Sequence, residues 1–389
     1  MGSARWTGRR MIWLVPVLAV AVLALIELPA LAGIVDYRHF IGAVPLRLNY
    51  IDDPELGYIH RPSSRLSGSS NGGYASMVYD IPASDLTQYR WDTTYDRKGF
   101  RNKTDLTSAD VVVLGDSTVE GTEGGITDAQ LMTTLLAQQS GKVVSNLGHN
   151  TYGPQQELII LKRYGLSLHP RTVIWVFSES SDVGDAAHYP VIRRRAANPW
   201  LAFVERSFTK NVLKQLRPPG GKQPAANGLG IVRTANGTLK TYFTPPDALS
   251  AQPLGEMEIS GLDEIARTLQ SGASLCAQHG CHVVLVYAPD KFRVLHDFCT
   301  FSPEFIYRNL PLNDVPDRLA RMAASLSPTM EFLDLTPALI DDVKQGRMPY
   351  DTDDYHWNEE GQKVAAAAIG DYISVHGTGS AGESNRSSR

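Results

Sequence analysis

From residue 110 onward the chain alternates between two hydrophobic patterns. Short runs dominated by β-branched and aliphatic residues at 110–114, 142–146, 172–177, 282–287 and 331–335 have little polar alternation, as expected of strands covered on both faces. Between or after them, 128–139, 155–164, 262–278, 315–325 and 359–375 carry apolar residues at three- and four-residue spacing, the mark of helices with one buried stripe. Apolar strands separated by amphipathic helices predict an α/β fold, a parallel sheet lying between helical layers. Right-handed crossovers would bring the strand ends together at one edge.

Four segments break this alternation. Met11–Ile26 is an uncharged apolar run of sixteen residues that continues through Glu27 to Ala32 and follows Arg5, Arg9 and Arg10. Counted to Gly33, it is long enough to span a bilayer, and positive charge on its amino side predicts a cytoplasmic amino terminus with the remainder translocated. Ala30-Leu31-Ala32 also fits the small-residue pattern cut by signal peptidase, so residues 1–33 read as a cytoplasmic stub with either a transmembrane anchor or a cleaved signal. The length of the apolar stretch favours the anchor, hence a single-pass membrane protein; cleavage would give a secreted or periplasmic one. Residues 34–105, with Pro54, Gly57, Pro62 and the small polar tract 67–73, read as an irregular, partly β lead-in. Within the main domain, 106–375, residues 184–255 form an insertion. It has one amphipathic helix predicted over 199–216 and a flexible Pro218-Pro219-Gly220-Gly221, suiting either a lid or a passive excursion. The Gly-, Ser- and Arg-rich tail 376–389 is expected to be disordered.

With 43% hydrophobic and 20% charged residues the chain can bury an ordinary core, and its net charge of −4 gives no electrostatic ground for nucleic-acid binding. Arg193-Arg194-Arg195 reads as a solvated or lipid-proximal patch. Cys276, Cys281 and Cys299 could supply one disulfide in a translocated domain, and the sequence does not choose the pair. Nothing has zinc-ligand spacing, so neither a metal nor another cofactor is expected.

The chemistry lies in two short segments. Val111-Val112-Val113-Leu114-Gly115-Asp116-Ser117 is a buried strand that stops abruptly, leaving Ser117 at the carboxyl edge where open α/β sheets bind ligands. Near the other end, Asp353-Asp354-Tyr355-His356 offers a base and an orienting acid. Either aspartate could hold the imidazole, and the three-residue spacing of Asp353 from His356, one helical turn, favours Asp353.

These blocks, in this order, resemble the SGNH (GDSL-type) hydrolases. The resemblance spans about residues 95 to 374 and includes Gly99-Phe100-Arg101, Asn146-Leu147-Gly148, Trp175-Val176-Phe177, Pro289-Asp290-Lys291 and His356-Trp357-Asn358 followed by Gly361. It implies a three-layer, flavodoxin-like fold and a Ser117, His356, Asp353 triad. The implied oxyanion hole is made by Ser117, Thr151 and Ser181, where Thr151 stands at the family's glycine and Ser181 at its asparagine. The Lys291 and Trp357 motifs also resemble the alginate O-acetyltransferase branch. The resemblance implies a serine esterase, and translocation by the N-terminal apolar segment places it outside the cytoplasm, where O-acyl, chiefly O-acetyl, esters of envelope carbohydrate are the expected substrates. The alternatives are an O-acetyltransferase of an exopolysaccharide and a non-catalytic glycan-binding subunit working with a membrane acyltransferase partner.

Overall fold

The computed structural model describes residues 4–41, 49–121, 125–217 and 220–376, with side chains from Leu14 onward. The chain divides into two units, Met1–Tyr58 with Val191–Gly221, and Ile59–Pro190 with Lys222–Arg389. The tail expected to be disordered, from Gly377 on, lies outside the described residues, as do Pro218 and Pro219 of the linker.

Helix α1 (Ala4–Leu31) belongs to the first unit. Its window Leu14–Leu31 has a mean hydropathy of 2.5 and is only 6% buried, so it is long and apolar enough to cross a membrane.

In the second unit the lead-in contains an antiparallel pair, β1 (Arg65–Asn71) and β2 (Gln88–Thr94). The alternation then begins with β3 (Val111–Leu114), the one-turn helix α2 (Ser117–Glu120), α3 (Met132–Ser140), β4 (Val144–Asn146), α4 (Pro154–Ile160) and β5 (Thr172–Ser178). Helix α5 (Asp182–Ala197) leads into α6 (Pro199–Arg206) and α7 (Phe208–Gln215) of the first unit. The single helix predicted over 199–216 is thus two. Ser207 has the non-helical φ, ψ of −56°, 134°, and its hydroxyl accepts from the Lys210 N–H at 3.2 Å, which ends one helix and caps the next.

The second unit resumes with an antiparallel hairpin, β6 (Leu229–Thr234) and β7 (Gly237–Tyr242), turning at Ala235-Asn236. The Asn236-Gly237 pair was its sequence signal. Then follow α8 (Glu256–Gln278), β8 (His282–Ala288), α9 (Lys291–Leu295), β9 (Cys299–Phe301), α10 (Val315–Ser325), β10 (Met330–Asp334), α11 (Thr336–Lys344) and α12 (Glu359–His376).

All five predicted core strands pair in one parallel sheet of order β4-β3-β5-β8-β10, which in chain order is 2-1-3-4-5, the flavodoxin-like arrangement. Its centre is dry. Every residue of β3 and β5 is buried, and register pairs such as Leu114 with Trp175 and Phe177 with Tyr287 stack apolar side chains across it. The strand order reverses between β3 and β5, so their carboxyl ends diverge there and leave the crevice in which this fold places ligands. All three cysteines are free thiols.

Candidate active site

Gly115 ends β3 because nothing larger fits. A Cβ there would lie 2.4 Å from Val119 Cγ2 and 3.3 Å from Val176 Cβ. The chain therefore turns sharply into α2, where Asp116 acts as the N-cap, its Oδ1 accepting from the Thr118 N–H at 2.9 Å. Ser117 becomes the first residue of the helix, with its N–H outside the helical ladder. The Asn146-Leu147-Gly148 segment runs beside it, since the Leu147 and His149 N–H groups donate to the Val113 and Gly115 carbonyls at 2.8 and 3.0 Å. Gly148 lets the two turns touch, as a Cβ would sit 2.6 Å from the Glu120 nitrogen.

The structure brings Ser117 and His356 together across 239 residues of chain. The serine hydroxyl lies 2.9 Å from Nε2, with the serine 7% and the histidine 4% exposed. The other ring nitrogen, Nδ1, is 2.6 Å from Asp354 Oδ1. The acid favoured by sequence spacing, Asp353, is not the one bonded to the histidine. Residues 351–355 form turns rather than a helix, so a three-residue separation does not stack the two side chains. Instead Asp354 Oδ1 accepts from the His356 backbone N–H at 3.0 Å, a local two-residue turn that delivers the same oxygen to the ring. Asp353, fully buried, faces the other way. Its carboxylate accepts from the Gly73 and Thr87 N–H groups at 3.0 and 3.1 Å and from the Tyr89 hydroxyl at 2.9 Å, and so fastens the loop to the β1–β2 hairpin.

Burial pushes the Asp354 carboxyl up, but the charge and hydrogen bonds of His356, with the Tyr74 N–H, hold it below the ordinary aspartate value of 3.8. The hydrogen-bonded chain is therefore polarised one way. An ionised Asp354 accepts from Nδ1–H, leaving the Nε2 lone pair for the Ser117 proton.

One cation stands behind this loop. Lys291 is fully buried, and its ammonium donates to the carbonyls of Tyr242, Asp351, Thr352 and Asp354 at 3.1, 2.8, 3.2 and 3.0 Å. Burial lowers its pKa, opposed by the fields of Asp247, Asp354, Asp351 and Asp353. The sequence marked this lysine as part of a motif but gave it no task. It pins the strand of backbone that carries the acid.

The two residues expected beside Ser117 in an oxyanion hole are placed differently. Thr151 occupies a left-handed conformation, φ 62°, in the turn between β4 and α4. Ser181 lies next to the serine's turn, but its hydroxyl donates to Asp116 Oδ2 at 2.6 Å and its N–H to the Ser178 carbonyl at 3.3 Å. As placed, both Ser181 donors are committed to protein acceptors, so its hydroxyl braces the Asp116 cap rather than facing a developing oxyanion.

Sequence reasoning missed a buried group beneath the 148–151 turn. His60, Glu120 and His149 place one ligand-type atom each within 4.8 Å of one another. Glu120 accepts from the Tyr95 hydroxyl at 2.8 Å and from the Asn150 N–H and lies with Oε1 2.9 Å from His60 Nε2, while the two histidine rings lie between Tyr95 and Tyr152. Burial and the neighbouring His60 push His149 down to about 3, so it is neutral. The carboxylate oxygens are already engaged and the imidazoles lie nearly face to face. The group fits a brace under the 148–151 turn better than converging metal ligands. No sequence spacing could have signalled it, because the three residues come from three separate segments.

Residues 252–387 match a family model described as SGNH hydrolase-like domain, acetyltransferase AlgX. That stretch holds Lys291 and the whole 351–356 loop; Ser117 lies before it. Among solved structures, a GDSL-like lipase from Bacteroides thetaiotaomicron is similar at 14% identity and a TM-score of 0.32, over 68% of this chain and 88% of that one. A carbohydrate esterase family 2 enzyme with a carbohydrate-binding domain, from Corynascus thermopiles (Myceliophthora fergusii), is similar at 12% identity and a TM-score of 0.36, over 75% of this chain and 72% of that one. No curated protein matches the chain by sequence. The parallel sheet of order 2-1-3-4-5 carries the sequence blocks at its carboxyl edge, and residues 252–387 are similar to the SGNH hydrolase-like domain of the acetyltransferase AlgX.

Proposed function

We propose that this chain is a membrane-anchored serine enzyme that cleaves or transfers O-acyl groups, chiefly O-acetyl, on envelope carbohydrate outside the cytoplasm. The observation that carries the chemistry is the hydrogen-bonded series from Ser117 Oγ through both ring nitrogens of His356 to Asp354. In this reading Ser117 Oγ attacks the ester carbonyl while its proton passes to Nε2. The imidazolium, balanced by Asp354, returns that proton to the departing alcohol, and an acyl-enzyme remains on the serine. Water or a sugar hydroxyl then attacks the acyl carbon, with Nε2 again taking the proton, and the serine is released. The Ser117 N–H and the Thr151 turn are the donors proposed for the oxyanion.

Transfer to a sugar is supported by the acetyltransferase description of the matched family model, and hydrolysis by the serine–histidine–aspartate chemistry alone. The compartment rests on α1, read as an uncleaved anchor preceded by arginines. The test uses the full chain in detergent with p-nitrophenyl acetate, Ser117→Ala as control and oligosaccharides as acceptors. Serine-dependent acetate release supports esterase chemistry, and acetylated sugar formed at its expense supports transfer. Absence of both with every ester tried refutes the reading.

A further inference from the structure

The first unit holds a second feature that the acyl-ester chemistry does not use. Residues 191–221 contain seven Lys or Arg (Arg193, Arg194, Arg195, Arg206, Lys210, Lys214 and Arg217) against one acid, Glu205, in a chain whose net charge is −4. The same segment exposes large apolar side chains, with Trp200 at 63%, Leu213 at 56% and Leu216 at 73%. Helices α6 and α7 are short and amphipathic; α6 is charge-balanced by Glu205 and Arg206, and the basic residues gather at the end of α5, on α7 and at Arg217 just past it, beside exposed apolar side chains, the composition of segments that lie in a bilayer interface.

Their attachment indicates which surface they meet. Glu27 lies in the last turns of α1, inside its apolar stretch, where a carboxylate is costly unless satisfied. Its donors come from the start of α7: the Ser207 hydroxyl at 2.9 Å and the Phe208 and Thr209 N–H groups at 3.2 and 2.7 Å. Beside it the Tyr37 hydroxyl donates to the Ile26 carbonyl at 2.9 Å, and the Tyr37 ring meets Phe208 edge-on at 5.3 Å. Ile34 and Phe40, just past α1, are 79% and 75% exposed. Wherever the end of α1 leaves the hydrocarbon, α6 and α7 are held at that level.

We propose that residues 191–217, comprising the end of α5, α6, α7 and the two residues after it, form an interfacial collar that lies on the leaflet from which α1 emerges, inserting Trp200, Leu213 and Leu216 among the acyl chains and setting Arg193–Arg195, Lys214 and Arg217 against anionic lipid headgroups. This rests on α1 being an uncleaved anchor. The surface potential of an anionic leaflet attracts juxtamembrane basic residues and falls off within a Debye length, so the collar's contact depends on headgroup charge and on salt. It would hold residues 191–221 against the membrane.

The test reconstitutes the full chain in phosphatidylcholine vesicles with and without phosphatidylglycerol and measures tryptophan quenching by lipids brominated near the headgroup. Subtracting Trp200→Phe isolates the signal of Trp200. The expected result is strong Trp200 quenching, greater with phosphatidylglycerol, with that increment lost at high salt and in a variant carrying Arg193→Gln, Arg194→Gln, Arg195→Gln, Lys214→Gln and Arg217→Gln. Alkaline carbonate extraction separates the two ideas. A chain that resists extraction but shows no Trp200 quenching, or quenching indifferent to lipid charge, overturns the collar and leaves the anchor. A chain that carbonate extracts overturns the anchor, and the collar with it.

Discussion

Two adjacent aspartates precede His356, and exchanging each for asparagine separates their tasks. Asp354 uses its oxygens differently. Oδ2 accepts from the Tyr74 N–H at 2.8 Å, and Oδ1 accepts from both the backbone N–H and Nδ1 of His356 at 3.0 and 2.6 Å. In Asp354→Asn the amide nitrogen must face one side. Turned to His356 it opposes two donors, so it turns to Tyr74 and opposes one. The ring keeps a neutral acceptor but loses the negative charge that balances the imidazolium. A hydrogen bond to a charged group is worth about 1.5–3 kcal/mol, so kcat/KM should fall by roughly 10- to 100-fold. The Tyr74 N–H left facing an amide costs a further 1–3 kcal/mol or so, read as a lower Tm.

Asp353→Asn should be far milder for activity. Its Oδ2 accepts from Gly73 and Thr87 N–H groups, while Oδ1 meets only the Tyr89 hydroxyl, which can rotate and accept from an amide. All three contacts can survive. The assay is p-nitrophenyl acetate hydrolysis by each variant, with circular dichroism melting as the fold control. If Asp353→Asn loses as much kcat/KM as Asp354→Asn at equal stability, or Asp354→Asn stays close to wild type, the assignment of Asp354 as the orienting acid is wrong.

Ser117→Ala and His356→Ala should each abolish turnover of activated esters while leaving the melting transition intact. Their double variant should be little worse than either, and additive losses would show that the two do not act as a unit. Lys291→Met should lower kcat with little change in KM and cost at least about 3 kcal/mol in denaturant unfolding, because four carbonyls lose their shared donor; unchanged kinetics would refute its part in holding the 351–354 loop. Burial and the field of Asp116 push the Asp185 carboxyl from 3.8 up to about 7. The native chain therefore keeps a proton that the unfolded chain releases, and the stability from this group, present below 3.8, is lost as pH rises through about 7. Asp185→Asn should gain Tm relative to wild type across that window, and a constant difference would count against the shift.

By itself the sequence determined the layered sheet. Strands such as Val111–Leu114 and Thr172–Ser178 are buried on both faces, and that burial is written locally as an unbroken apolar run. It also placed Ser117 at a strand end, since a strand that stops at Gly-Asp-Ser must turn there. It offered His356 as the partner through the order of the blocks. The choice between Asp353 and Asp354 was not legible, because it depends on whether 351–356 is a helical turn or an irregular loop. Lys291, the β1–β2 hairpin and the His356 ring settle that jointly from distant parts of the chain. The same holds for Ser181, whose hydroxyl found an acceptor in Asp116, and for Glu120, which gathers His60 and Asn150 beneath the turn. A backbone pattern repeats along the chain and can be read from it. Which buried donor meets which carboxylate is a property of the packed interior, where an unpaired polar group is too costly to leave and the nearest partner is chosen in three dimensions.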